Sequence, residues 1–161
     1  MSVYPLPSLV FLEDFSGNWE TYKQELYQIF LDSIVNKLTF LNLPISCRYF
    51  QPIGEMHRCF WHLISEGALN DEDRIPDMRR CERIRWIAHL INNYQDSAIT
   101  CWENKRSSNN NTVLWLPPEN YMVILSKRKN YYLLTTAYVH SKGKARSNQK
   151  EMEIYKDPRK S

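Results

Sequence analysis

Residues 98–140 read AITCWENKRSSNNNTVLWLPPENYMVILSKRKNYYLLTTAYVH and contain four runs that are rich in β-branched and aromatic residues. These runs occupy residues 98–103, 112–116, 121–126 and 131–140, and polar or proline-containing connections separate them. Several short β-forming runs in series are typical of an antiparallel meander. The sequence therefore predicts four consecutive strands in this stretch.

Helical periodicity dominates the chain before this stretch. Asn18 is expected to cap a long amphipathic helix, in which apolar residues recur every three or four positions until Pro44. Pro76 and Asp77 predict the start of a second helix, whose apolar face continues to Tyr94. The aromatic stripe of the first helix is interpreted as core rather than as a ligand site.

These elements define an α+β fold in which N-terminal helices pack on one face of a four-stranded antiparallel meander sheet. Residues 45–50 are predicted as a short strand, whereas residues 56–65 mix helical and strand signals. The basic tail, residues 141–161, shows little apolar period and is expected to be an arm that becomes ordered on RNA. The sheet face opposite the helices is therefore expected to be open to a ligand.

The chain has 161 residues, of which 43% are hydrophobic, and this predicts one domain with its own core. We divide it into an N-terminal arm and helical part (1–55), a helix-plus-sheet part (56–140) and the basic tail. Its start lacks the basic region of a signal peptide, and no apolar run reaches the roughly 20 residues that span a bilayer. A cytoplasmic protein without membrane attachment is expected.

The four cysteines form no C-x-x-C pair, so a zinc ribbon or a redox motif is not expected. His57, Cys59 and His62 have H-x-C-x-x-H spacing, but zinc would need a fourth ligand and a more usual spacing. Neither a metal nor a cofactor is predicted.

The charge distribution is the first functional signal. Residues 1–77 carry five Lys/Arg and eleven Asp/Glu, whereas residues 78–161 carry sixteen and seven, so their formal charges are −6 and +9. A basic half attracts phosphates by releasing condensed counterions. This asymmetry favours a nucleic-acid partner, although a solvated basic face is the alternative interpretation.

Alternation along the last predicted strand divides its side chains between the two sheet faces. The more apolar set is expected in the core: Tyr131, Leu133, Thr135, Ala137 and Val139. The other set is expected to face the ligand: Tyr132, Leu134, Thr136, Tyr138 and His140. Trp102 from the first strand should project into the same cleft, since aromatic side chains among cations are suited to stacking on unpaired bases.

Four segments, FWHLISEG, RIPDMRRCERIRWIAHLI, AITCWENKR and YMVILSKRKNYYLLTTAY, resemble the barnase, EndoU, colicin and RelE-like nucleases, especially their phage-associated branch. The resemblance covers roughly residues 56–140 and leaves the first helix unexplained. It implies a helix-then-four-strand fold and a metal-independent ribonuclease site made of a histidine before the sheet, basic residues, and Thr/Ser-x-Tyr on a late strand. The positions that fit are His62, Arg83, Arg106, Thr136 and Tyr138.

RNA cleavage without a metal requires a base for the 2′-hydroxyl proton, cations for the phosphorane and an acid for the 5′-oxygen. His62 suits the first or the last task, while Arg83 and Arg106 would neutralise phosphate charge and Thr136 or Tyr138 would donate a hydrogen bond to it. The residues expected to hold the substrate, tRNA being one candidate, are Arg79, Trp102, Lys105, Lys127, Arg128 and Lys129.

Each of these residues also has a structural interpretation. His62 could be a core histidine, Arg83 could form an ion pair, and Thr136 could be an ordinary strand residue. Two other functions stay open: a non-catalytic RNA-binding module, and a protein-interaction or inhibitor domain that uses the acidic half. A toxin-like ribonuclease would require a neutralising partner, such as an antitoxin or an immunity protein.

Overall fold

A computed structural model describes residues 2–67, 73–106, 109–141 and 143–160, with only the backbone described at positions 106 and 109. The helices in these ranges are α1 (Trp19–Ser33), α2 (Arg58–Ile64), α3 (Met78–Glu82), α4 (Ile84–Asn92) and α5 (Lys144–Ile154). The strands are β1 (Thr39–Phe40), β2 (Leu43–Ser46), β3 (Ser65–Glu66), β4 (Ile75–Pro76), β5 (Thr100–Arg106), β6 (Asn109–Leu116), β7 (Tyr121–Lys127) and β8 (Tyr132–Val139). The fold is α+β, as predicted.

Local hydrogen bonding sets the helix starts where the sequence predicts them. The Asn18 side chain accepts a hydrogen bond from the Thr21 backbone N–H at 3.0 Å, and Asp77 accepts from the N–H groups of Arg79 and Arg80. The ends differ from the prediction. Helix α1 ends at Ser33, well before Pro44, because a hairpin formed by β1 and β2 follows and buries Phe40 in the core.

The second predicted helix is divided in two. At Arg83 the backbone leaves helical geometry, with φ −101° and ψ 19°, so that α3 ends and α4 begins there. Residues 56–65 contain α2, which buries Cys59, Phe60, Leu63 and Ile64. The short strand predicted at 45–50 is present only as β2, which ends at Ser46.

The main sheet has six strands in the order β1–β2–β8–β7–β6–β5. Strands β5 to β8 form the predicted antiparallel meander, but β2 adds to β8 in parallel, with Ile45 opposite Tyr132 and Ser46 opposite Leu133. The prediction of a four-stranded, wholly antiparallel sheet was therefore wrong. The added strands come from the N-terminal part of the chain, so the pattern of residues 98–140 could not predict them.

A β-bulge in β8 overturns the predicted division of its side chains. Ile124 lies opposite Thr136 and Leu125 lies opposite Leu134, so Thr135 is the extra residue on β8. Side chains before and after the bulge consequently change faces. The main core contains Tyr132 and Leu134 as well as Ala137, whereas alternation had placed the first two on the ligand face.

Helix α5 covers the sheet face that was expected to be open. The apolar residues on this face, Trp102, Val113, Trp115 and Met122, form a second cluster against which Ala145, Met152 and Tyr155 pack. The expectation of an unstructured arm at residues 141–161 was wrong, because these three side chains give the segment an apolar contact surface. None of the helices in the described ranges is long and apolar enough to cross a membrane.

Candidate nucleic-acid interface

His62 lies on α2 at the centre of a group of four arginines, Arg48, Arg58, Arg74 and Arg80. Burial, and then the positive charges of these arginines, lower the pKa of His62 from its ordinary value of 6.5 to about 4. Both effects disfavour the charged imidazolium. His62 is therefore neutral at physiological pH, although four arginines act on it.

Two of the arginines, Arg74 and Arg80, contact the carboxyl-terminal end of α2 and are named here the inner pair. Arg80 Nη1 donates to the carbonyl oxygens of Ser65 at 2.7 Å and of His62 at 3.1 Å. Arg74 Nη2 donates to the same two oxygens at 2.5 and 3.5 Å, and its Nε donates to Ser65 Oγ at 2.9 Å. The last carbonyls of a helix lack partners within the helix and carry partial negative charge. The inner pair supplies both hydrogen-bond donors and positive charge to these carbonyl groups.

Arg80 also connects α2 with the late part of β8. Its Nη1 lies 3.4 Å from Thr136 Oγ1, and its guanidinium carbon lies 5.4 Å from the centroid of the Tyr138 ring. Burial raises the pKa of Tyr138, so its hydroxyl keeps its proton. Arg80 thus contacts three residues of the predicted site, namely the backbone carbonyl of His62, the hydroxyl of Thr136 and the ring of Tyr138. The sequence analysis did not select this arginine.

The other two arginines, Arg48 and Arg58, are named here the outer pair because they line a cavity of about 210 Å³. Its remaining lining residues are Cys59, His62, Leu133, Leu134 and Thr135. The cavity lies beside β8, where the pairing with β2 ends at Ser46 and α2 packs against the strand. His62, Arg48 and Arg58 therefore border a pocket large enough for a small anionic group.

The predicted basic hairpin lies beside the same part of β8. Lys127 is opposite Tyr132, the residue that precedes Leu133 of the cavity, and Lys127, Arg128 and Lys129 are exposed. Lys105 is also exposed, at the corresponding end of β5. The side chain of Arg106 lies outside the described residues, so its predicted role stays a prediction.

Several predicted residues lie away from His62. Arg83 donates to the Arg79 carbonyl at 3.1 Å and lies over the Trp86 ring, and Arg79 is exposed on α3. Trp102 is fully buried beneath α5, which contradicts the expectation that it projects into an open cleft. His140 is likewise buried, and its Nε2 lies 3.0 Å from Asn148 Nδ2 of α5.

Sequence reasoning missed the outer pair and Arg80. Arg48 and Arg58 precede the segment with the basic excess. Arg48 follows β2, which pairs in parallel with β8, and Arg58 begins α2, which packs against β8. Arg80 stands three residues after the Asp77 cap, and this spacing is the one sequence signal that could have directed it toward the end of α2. No three His, Cys, Asp or Glu side chains in the described ranges come together in a way that could hold a metal ion.

Comparisons of this chain with protein-family models, with curated proteins and with solved structures gave no match. The resemblance to the barnase, EndoU, colicin and RelE-like nucleases therefore stays a prediction that depends on the quoted segments. The functional argument depends on the geometry around His62.

Proposed function

We propose that this chain binds RNA and holds a backbone phosphate in the cavity bordered by His62 and the outer pair. The observation that carries the proposal is the cavity of about 210 Å³ that Arg48, Arg58 and His62 line. Burial, and then the positive charges of the nearby arginines, lower the pKa of His62 to about 4. A phosphate in this cavity would lie beside the two guanidinium groups of the outer pair. Charge-assisted hydrogen bonds from guanidinium to phosphate are also stronger than neutral ones.

The surroundings of the cavity fit a chain of phosphates better than a single small anion. The exposed Lys127, at the end of β7, lies opposite Tyr132 of β8, and the exposed Arg128 and Lys129 follow in the connection between these strands. Tyr132 precedes Leu133, which lines the cavity, so the three cations lie at the same end of β8 as the cavity. They would contact neighbouring phosphates of the bound RNA strand.

Salt dependence tests this proposal. Wild type is titrated against a labelled single-stranded RNA at several salt concentrations, beside Arg48→Ala/Arg58→Ala and a control, Lys144→Ala/Lys150→Ala, which removes equal charge from exposed positions on α5. The outer-pair variant should lose affinity, and its plot of log affinity against log salt should become shallower by about 0.7 for each arginine removed. Equal loss in both double variants, or no binding by wild type at low salt, would refute the proposal.

Cleavage of the bound RNA is a second candidate function, because His62 lines the same cavity as the outer pair. An imidazole without a proton can accept the 2′-hydroxyl proton, after which O2′ bonds to phosphorus, the P–O5′ bond breaks and O5′ takes a proton from solvent. The outer pair would stabilise the charge that develops on the phosphorane. The products are a 2′,3′-cyclic phosphate and a 5′-hydroxyl.

The cleavage step is tested by incubating the protein with total tRNA in EDTA, beside His62→Ala and Thr136→Ala, followed by end-group analysis. Discrete cuts with cyclic phosphate ends that disappear in His62→Ala are expected of a metal-independent ribonuclease. Intact RNA that is retained by wild type would leave RNA binding as the function. Because such an enzyme would act on the cell that makes it, a neutralising partner is part of this second candidate.

A further inference from the structure

Two aromatic side chains stand out from the surface next to the cavity. Tyr49 is 47% exposed and Phe50 is 70% exposed, in the loop between β2 and α2. By contrast, the tryptophans of the second cluster, Trp102 and Trp115, are buried. Single exposed apolar residues are common on protein surfaces. Tyr49 and Phe50 are notable for their position, because they directly follow Arg48 of the cavity lining.

Hydrogen bonds hold the loop against the amino-terminal end of α2. Arg48 Nε donates to the Phe50 carbonyl at 2.7 Å, and Arg58 Nε donates to the Gln51 carbonyl at 2.9 Å. The Cys59 N–H donates to the Arg48 carbonyl at 2.9 Å, and the Arg58 N–H to the Tyr49 carbonyl at 3.3 Å. These bonds fix the backbone on both sides of Phe50. The ring is therefore presented to solvent by an anchored segment.

Tyr49 is positioned by ring contacts on its inner side. Its ring meets the His57 ring edge-on at a centroid distance of 4.9 Å. The Nδ1 atom of His57 in turn lies 2.8 Å from the Tyr27 hydroxyl of α1. Since one edge of Tyr49 is held in this way, about half of its surface stays available beside Phe50.

The arginines that hold this loop are the outer pair, which also lines the proposed phosphate cavity. Hydrogen bonds thus connect the two arginines with the loop that carries the exposed aromatic rings. A nucleotide has the complementary chemistry, since it carries an anionic phosphate and an aromatic base. Bases stack on aromatic side chains only where their faces are not already covered by a neighbouring base pair.

We propose that Phe50, with Tyr49 beside it, stacks on an unpaired base of the RNA whose phosphate occupies the His62 cavity. This inference rests on the proposed function and deepens it, because it specifies single-stranded RNA, or an unpaired loop, as the substrate class. It also moves the stacking role from Trp102, which α5 buries, to the β2–α2 loop. The phosphate and base sites are then linked through Arg48 and Arg58.

The test compares affinity for a labelled oligouridine of about 12 nucleotides, a length within the range of single-strand binding sites, with affinity for the same strand in a duplex. Phe50→Ala should weaken single-strand binding by about tenfold, which is the order of one base stack. Because no cation is removed, the salt slope should stay unchanged. Phe50→Tyr should keep the affinity, and Ile154→Ala, at an exposed apolar residue on α5, serves as the control.

The outcomes separate the inference from the proposed function. Wild type that fails to bind either RNA overturns both. Wild type that binds through the outer pair, with Phe50→Ala equal to the Ile154→Ala control, overturns the stacking inference alone. Preference of wild type for the duplex also overturns it. Loss of affinity in Phe50→Ala at constant salt slope, restored in Phe50→Tyr, supports it.

Discussion

The inner pair and the outer pair of arginines carry the same charge and surround the same histidine, yet their nitrogen atoms have different contacts. Arg74 and Arg80 donate to carbonyl oxygens at the end of α2, and Arg80 is nearly buried. Arg48 and Arg58 hold an exposed loop and line a cavity. Under the proposed function, the inner pair stabilises the end of α2 and the outer pair also binds phosphate, and substitutions can separate these two roles.

The largest effect is expected for the inner pair. Arg80→Ala removes a donor from two carbonyl oxygens and from Thr136 Oγ1, so it should lower the free energy of unfolding by about 2–4 kcal/mol. Arg79→Ala removes an exposed side chain of the same type one residue away and should cost less than about 0.5 kcal/mol. Urea unfolding of the two variants measures the difference. Similar values for both would show that Arg80 has no special part in capping α2.

A smaller difference in stability is expected between variants that lose one arginine of each pair. Arg74→Ala is expected to lower the free energy of unfolding by about 1–2 kcal/mol, because Ser65 is buried and loses a donor. Arg58→Ala should change stability by less than about 1 kcal/mol but weaken RNA binding by about tenfold. Paired urea unfolding and RNA titration of both variants give the comparison. If Arg74→Ala were the stronger RNA-binding defect while remaining stable, the division into inner and outer pairs would be wrong.

The smallest effect at neutral pH is the one that His62 contributes, because it develops only as the pH falls below 6.5. Between pH 6.5 and about 4 the unfolded chain binds a proton at His62 that the folded chain does not bind. The free energy of unfolding should therefore decrease as the pH falls through this window and level out below it. His62→Gln should show a flatter profile in urea unfolding from pH 7.5 to 4. Parallel profiles for wild type and the variant would contradict the low pKa.

Local chemistry explains what the sequence could predict of the fold. Asn18 and Asp77 cap helices because their side-chain oxygens accept from backbone N–H groups two or three positions later. The meander follows from β-forming runs and short connections. In contrast, the parallel pairing of Ser46 with Leu133 joins distant segments, and the bulge at Thr135 depends on how β8 is accommodated beside β7. Neither feature leaves a periodic signal.

The same distinction applies to the candidate site. His62, Thr136 and Tyr138 were selected from motifs, and Arg80 contacts the His62 backbone carbonyl, the Thr136 hydroxyl and the Tyr138 ring. The outer pair was not selected for two different reasons. Arg58 stands one helical turn before His62 on α2, but residues 56–65 mixed helical and strand signals, so this spacing could not be used. Arg48 lies near His62 only through the tertiary position of the segment that follows β2. Trp102 was misplaced for a different reason. Helix α5 has few apolar residues, so its cover over the Trp102 face was not visible in the composition of the tail.

A proton NMR titration of His62 tests whether a phosphate of RNA occupies the cavity beside this histidine. His62→Gln assigns the resonance among the four histidines of the chain. In free protein the pKa should be near 4, as the arginines and burial require. With saturating single-stranded RNA it should rise by about 1 or more, because an anion within about 4–6 Å favours the imidazolium. An unchanged pKa in protein that has bound RNA would place the phosphate elsewhere and contradict the account.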